Sequence, residues 1–219
     1  MRKPILRRLA RLSPLLLLPA VVGCNVLGAV AYKLSQDPTI PAKFVLDKNK
    51  PTLVLVENFR TPDLSAKDSE LLARTLTEKL EAKKVAPIIK AEKVLDLRNT
   101  RPKEFGTMTI PQIAQAVGAE QVVYVDLQGS QITSLTGTSM FQARAAAYMK
   151  VVDAKTGASL YPTDSVEGVG VTYETNALKG NEEGTYPEVR SALFDGLARA
   201  IGHHFYEWKA EAEKEESEK

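Results

Sequence analysis

The sequence predicts a single-domain α/β sandwich, in which a mixed, mostly antiparallel sheet packs against helices. Three observations carry this. Thr52-Leu53-Val54-Leu55-Val56 is a continuous β-rich apolar run, the composition of a central strand buried on both faces. Residues 66–83 and 185–208 place their apolar side chains at helical spacing. Between residues 122 and 173 strand-like runs, one of them (141–151) alternating apolar and polar residues, are broken by turn signals, as antiparallel strands are. No internal repeat is present, and the 219-residue length suits one layered domain behind an N-terminal leader.

That leader is of a different kind. Arg2, Lys3, Arg7, Arg8 and Arg11 carry five positive charges with no acidic residue among them, followed by the apolar stretch 15–22 and by Gly23-Cys24. A charged region, an apolar core and a small residue before a cleavage point describe an export signal over residues 1–23. Cys24 is the only cysteine. Val21-Val22-Gly23-Cys24 resembles the lipobox of bacterial lipoproteins. The resemblance implies that Cys24 becomes the first residue of the mature chain, carrying covalent diacylglycerol and an N-acyl lipid. Asn25, where an aspartate would favour retention at the inner membrane, points to the outer membrane facing the periplasm. Val26, Leu27, Ala29, Val30 and Ala31 prolong the apolar run to Tyr32. Residues 15–32 thus reach the lower limit of a membrane span, about 17–25 residues, and an uncleaved inner-membrane anchor stays open.

Charge and cysteine usage agree with export. The chain has 29 Lys+Arg against 27 Asp+Glu; the first 23 residues hold five of the former and none of the latter, so the remainder is net −3. The basic balance therefore belongs to the leader, and a nucleic-acid-binding domain, which shows a basic face, is disfavoured. With one cysteine no internal disulfide can form, and the fold stands on its core. Residues 24–50, with Pro38, Pro41 and several lysines, read as a lipidated N-terminus and flexible tether, with Phe44-Val45-Leu46 the part able to dock.

The expected domain spans 51–208. After the first strand, Pro62 and Asp63 break the chain, and Ser65-x-x-Asp68 has the form of a capping box opening a helix with Leu72, Leu76 and Leu80 on one face. Val85-Ala86-Pro87-Ile88-Ile89 reads as an edge strand, since proline cannot donate to a ladder. Residues 91–97 suit a short helix and residues 99–108 a loop. Thr109 can cap a helix carrying Ile110, Ile113, Ala114 and Val117, closed by Gly118. Residues 122–127 form the clearest strand, and Phe141, Ala143, Ala145, Ala147, Met149 and Val151 alternate along another. Asp153 to Gly157 make a tight turn, residues 158–161 return, and residues 166–173 give one more strand. Thr185-x-x-Glu188 predicts a second capping box, opening a helix striped by Val189, Leu193, Leu197, Ile201, Phe205 and Trp208. Residues 209–219 are a charged tail.

Three segments together resemble a known group. Thr52 to Phe59 looks like its opening strand. Residues 116–125 are similar to its helix, Gly-Ala-Asp, strand step, with Glu120 in place of Asp. Residues 149–157 resemble its valine-aspartate to threonine-glycine hairpin. The group is the exported lipoproteins and periplasmic domains related to the TolB N-terminal domain, including CsgG-like, PelC-like and LpoB-like lipoproteins. The resemblance implies a non-enzymatic role, binding other envelope proteins or assembling into rings. Residues 128–142, rich in Ser and Thr and containing Gly129 and Gly137, lack the alternating lipid-facing apolar set of a pore hairpin.

Residues in catalytic or metal-binding patterns are few. His203 and His204 are adjacent, about 100° apart on a helix, and cannot chelate one metal together. No G-x-S-x-G elbow is present. Gly168-Val169-Gly170 lies in a predicted strand with no helix after it, so it reads as a close backbone approach or bulge rather than a phosphate loop. Glu57, Asp126 and Asp153 are the remaining carboxylates of interest, at strand ends and in a turn. The partner-surface candidate is the loop holding Arg98, Arg101 and Phe105, residue types enriched in binding hot spots, set against a solvated loop with Phe105 in the core. The expected function is a membrane-anchored bacterial envelope lipoprotein whose domain binds an envelope protein or self-assembles, as an accessory in secretion, export or cell-wall synthesis. It is expected to be no enzyme and to use no metal, cofactor or small-molecule substrate. The alternatives are an envelope hydrolase with a carboxylate-based site and a ring-forming subunit of an export complex.

Overall fold

The computed structural model describes residues 39–58, 66–179 and 186–210. The signal and Cys24, the tether up to residue 38, the Pro62-Asp63 break, Ser65 and Thr185 of the two expected capping boxes, and the tail from 211 lie outside the described residues.

The elements, in order, are β1 (Thr39–Ile40), β2 (Thr52–Glu57), α1 (Ala66–Ala82), β3 (Ile88–Ile89), α2 (Glu92–Thr100), α3 (Pro102–Phe105), α4 (Ile110–Val117), β4 (Gln121–Ser134), β5 (Met140–Asp153), β6 (Ser159–Tyr161), β7 (Val169–Glu174), β8 (Leu178–Lys179), α5 (Pro187–Gly202) and β9 (Trp208–Lys209). The main sheet runs β3-β2-β4-β5-β6, and β7 and β8 also pair with β5. β2 is parallel to both β3 and β4, whereas β4 and every partner of β5 are antiparallel. This is the mixed, mostly antiparallel sheet of a single α/β domain.

Why β2 has no polar alternation is plain from the two cores. Val54 and Val56 join Leu72, Leu76, Leu80, Val123, Val125, Leu193, Phe194 and Leu197 in the larger core, which α1 and α5 supply. Leu53 and Leu55, pointing the other way, join Val94, Phe105, Ile113, Val122 and Val152 in a smaller core beneath α2, α3 and α4. All six residues of β2 are buried.

Local signals set several boundaries. Thr109 accepts a hydrogen bond from the Gln112 amide while the Gln112 side chain accepts one from the Thr109 amide, a full capping box at α4. Gly118 ends that helix at φ 79°. α1 closes in a Schellman arrangement: the amide of Val85 donates to the Leu80 carbonyl and that of Lys84 to the Glu81 carbonyl. This places Lys84, not a glycine, at φ 51°. The Asp153 carboxylate accepts from the amides of Lys155 and Thr156 and from the Thr156 hydroxyl, which shapes the turn before Gly157 at φ 75°. A Cβ on Gly168 would stand 2.4 Å from the Met149 carbonyl oxygen, so the expected close backbone approach is real.

Four expectations are corrected. Residues 39–50 are not a free tether: Leu46 is 1% exposed within the larger core, and β1 pairs with β9, which also draws Lys209 out of the expected tail. Residues 99–108 are not a loop, because α2 continues to Thr100 and Pro102 starts α3, its missing amide falling where a helix has no internal acceptor for one. β4 and β5 continue through residues 128–134 and 140 as one long hairpin with a bulge between Leu127 and Gly129. α5 starts from Tyr186 with no side-chain cap and stops at Gly202, which leaves Phe205 in a turn and Trp208 in β9. Apart from these corrections, Asp68, whose capping partner Ser65 lies outside the described residues, binds Arg190 of α5 and the Ser130 hydroxyl of β4, so its carboxylate ties elements together.

Candidate functional site

The two ends of the sheet differ in chemistry. At the C-terminal end of β2 lie the carboxylates. In α/β folds ligands favour this end of parallel strands, so it is the first place to look. Glu57 and Asp126 are register partners on the adjacent parallel strands β2 and β4. Arg98 of α2 reaches Glu57 at 2.8 Å and lies over the Phe105 ring, 4.8 Å from its centre. Burial raises the Glu57 pKa, and the Arg98 guanidinium opposes that rise by its charge and its hydrogen bond. On the opposite face of the sheet, Asp68 pairs with Arg190. The cavity beside Arg98 and Ser69 holds about 20 Å³, room for one water and not for a substrate.

The third carboxylate is elsewhere. Asp153 sits opposite Gln121, at the other end of β4. Its pKa is lowered, chiefly by hydrogen bonds from Thr156. The structure thus joins Glu57 with Asp126 and separates both from Asp153.

The partner-surface trio is divided. Phe105 is buried in the smaller core, Arg98 is committed to Glu57, and Arg101 is exposed, 3.9 Å from Glu104. The physical reason is α3, a single helical turn that rotates Phe105 inward beneath Arg98. The three do not form one surface.

At the other pole the chain enters the domain. The amides of Lys43 and Phe44 donate to the His204 carbonyl at 3.0 and 2.9 Å. Phe44 stacks on Tyr161 with ring centres 5.3 Å apart, and the Tyr161 hydroxyl lies 3.0 Å from His204 Nδ1. Burial lowers the His204 pKa to about 4, with the Lys43 charge adding to the effect. A neutral imidazole can accept the tyrosine proton, and the geometry suits that state. His203 stacks on Trp208 with centres 4.2 Å apart, so the two imidazoles serve different neighbours. Among the described residues no group of three His, Cys, Asp or Glu is placed to hold a metal ion.

Gln121 bolts the same segment down. It is 1% exposed, and its side-chain amide donates to the Asp47 carbonyl at 2.9 Å and to Thr52 Oγ1 at 2.8 Å. Two open clefts flank this region, one of about 500 Å³ lined by Lys48, Glu81, Lys84 and Ile88, the other of about 330 Å³ lined by Lys50, Glu120, Asp153 and Lys155. Sequence reading missed this pole. Its local signal was the apolar triplet Phe44-Val45-Leu46 among lysines and turn formers, read as able to dock, but without Gln121, Tyr161 and His204 as the residues that receive it.

No family model and no curated protein matches the sequence. Among solved structures, the chain is similar to lipoprotein GNA1162 from Neisseria meningitidis at 12% identity and a TM-score of 0.42, over 69% of this chain and 97% of that one. It is similar to the PelC dodecamer from Paraburkholderia phytofirmans at 14% identity and a TM-score of 0.33, over 76% and 96%. A putative lipoprotein from Caulobacter crescentus CB15 matches at 15% identity and a TM-score of 0.31, over 69% and 80%. At these identities and TM-scores the likenesses carry no argument about what this chain binds or builds. Among the described residues no helix is long and apolar enough to cross a membrane.

Proposed function

We propose that this chain is a bacterial envelope lipoprotein, held in the membrane by lipid on Cys24, whose α/β domain acts by binding an envelope protein or a further copy of itself rather than by catalysis. The observation that carries the reading is Val21-Val22-Gly23-Cys24 behind five basic residues, with Cys24 the single cysteine of the chain. The site chemistry is compatible. Glu57, whose side chain is 8% exposed, is ion-paired, and the adjacent cavity admits only water. Accessory roles in secretion, export or cell-wall synthesis, and the TolB-like grouping, belong to this proposal.

Cys24→Ala is the decisive variant. The wild-type protein is expected in the membrane fraction with an N-terminal peptide heavier by a diacylglycerol and an acyl chain. The variant is expected to lose that mass. If the signal stays uncut it remains membrane-bound through residues 15–32, and if another site is cleaved it is released. An unmodified Cys24 in mature, membrane-bound wild-type protein would refute the lipid anchor.

A further inference from the structure

The pole where the chain enters the domain is also where its lysines gather. Lys43, Lys48, Lys83 and Lys84 are exposed there, and Lys50 is half-buried. The two segments that build this face, 39–50 and 81–88, carry five lysines against Asp47 and Glu81, in a chain that is net −3 beyond the leader. They are brought together by the fold. Lys48 and Lys84 line one cleft, Lys83 lies 5.2 Å from the Tyr206 ring centre, and Lys43 sits on the His204 carbonyl. The adjoining Asp153 with Lys155 and Glu207 with Lys209 cancel, and Glu120 stands on the far cleft.

Two further features single out this face. Val45, between these lysines, is 72% exposed, although its neighbours Phe44 and Leu46 pack into the domain. Lys84 occupies a left-handed position where glycine is the less strained residue. The C-terminal ends of α1 and α5 account for some positive charge nearby, since helix dipoles attract cations. They do not account for Lys43, Lys48 or the exposed valine.

What this face meets follows from where the undescribed chain ends. Thr39, the first described residue, belongs to this pole through β1 and β9. Fourteen residues lie between it and Cys24, a reach of at most about 54 Å. A lipid on Cys24 therefore holds the lysines close to headgroups at high local concentration, and clustered lysines next to a membrane attachment favour anionic lipid.

We propose that this lysine face, with Val45 among its lysines, docks the domain on anionic phospholipid and so orients it on the membrane. The proposal rests on the reading of Cys24 as a lipid anchor.

Trp208, the single tryptophan, reports on it directly, because β9 pairs with β1 at this pole. The lipid-modified protein, extracted in detergent, is reconstituted by flotation with brominated phosphatidylcholine vesicles, with or without about one third phosphatidylglycerol. Flotation with both compositions is expected. Quenching of Trp208 is expected to rise at least about threefold in the anionic vesicles. The rise should disappear at about 0.5 M salt, which screens surface charge without touching the fold. It should also disappear in Lys43→Glu/Lys48→Glu/Lys84→Glu, while flotation persists. Equal quenching in both vesicles, or a rise indifferent to salt and to charge reversal, would overturn the docking face while leaving the anchor standing; the lysines would then serve the helix ends or a protein. Failure to float with either composition would overturn the anchor and the docking face with it.

Discussion

His204 carries the contact between residues 39–46 and the rest of the domain. Its carbonyl receives the Lys43 and Phe44 amides, and its ring faces the Tyr161 hydroxyl. The pKa of about 4 gives this contact a pH dependence. Between pH 4 and 6.5 the unfolded chain binds a proton at this histidine that the folded chain does not. The contribution is fully present above pH 6.5 and is lost as pH falls toward 4. The loss is on the order of 2–3 kcal/mol. Glu57, whose pKa is raised, acts in the opposite sense, weakening the fold as pH rises through its own range. Urea midpoints of the wild type should therefore fall on acidification through this window, and those of His204→Gln should fall much less. Parallel curves would show that His204 is not the group responsible.

Elements dock here by close approach as much as by apolar burial. α5 lies against β7 because Gly196 presents no side chain: a Cβ there would stand 2.0 Å from the Tyr173 ring. Intrinsic propensity favours alanine over glycine inside a helix by about 1 kcal/mol. The clash is the larger effect, since overpacking a tight contact costs typically about 1–3 kcal/mol. Gly196→Ala is thus expected to lower the melting temperature despite its better helix propensity, and Tyr173→Ala in the same chain should recover part of the loss. A melting temperature raised by Gly196→Ala alone would mean that the ring yields freely. The ion pairs between elements have a related role. Lys79 and Asp195 are 2.7 Å apart, and with Asp68–Arg190 they hold α1 and α5 side by side, running in the same direction. Both helices consequently end at the pole that carries the lysines.

For the whole molecule, the question is where the domain begins. Composition places the boundary near residue 51, whereas packing places residues 39–50 inside it. Leu46 decides the matter experimentally. As a fully buried member of the larger core, its replacement by alanine should cost about 2–4 kcal/mol, read from chemical denaturation. A change below about 0.5 kcal/mol, the usual size of a surface effect, would return the segment to the tether. The answer also bears on orientation. A docked segment delivers the attachment point to one pole of the domain, whereas a free one would let the domain turn in any direction.

The sequence by itself determined the elements whose cause is local. β2, α1, the cap at Thr109, the left-handed Gly118, the Asp153 turn and the close approach at Gly168 follow from periods of two and 3.6 or from one residue's stereochemistry, all visible within a few positions. It also singled out Cys24. Tertiary structure alone decided the rest. Asp47 is held by Gln121, 74 residues away, and Asp68 by Arg190, 122 residues away. Neither partner is marked by its neighbours in the chain. Arg98, Arg101 and Phe105 look like one binding loop until α3 turns the ring inward. The lysines of 39–50 look like a solvated linker until Leu46 and Gln121 pin them beside those of α1. Whether a polar segment docks depends on the surface that distant residues offer it, and no local pattern encodes that surface.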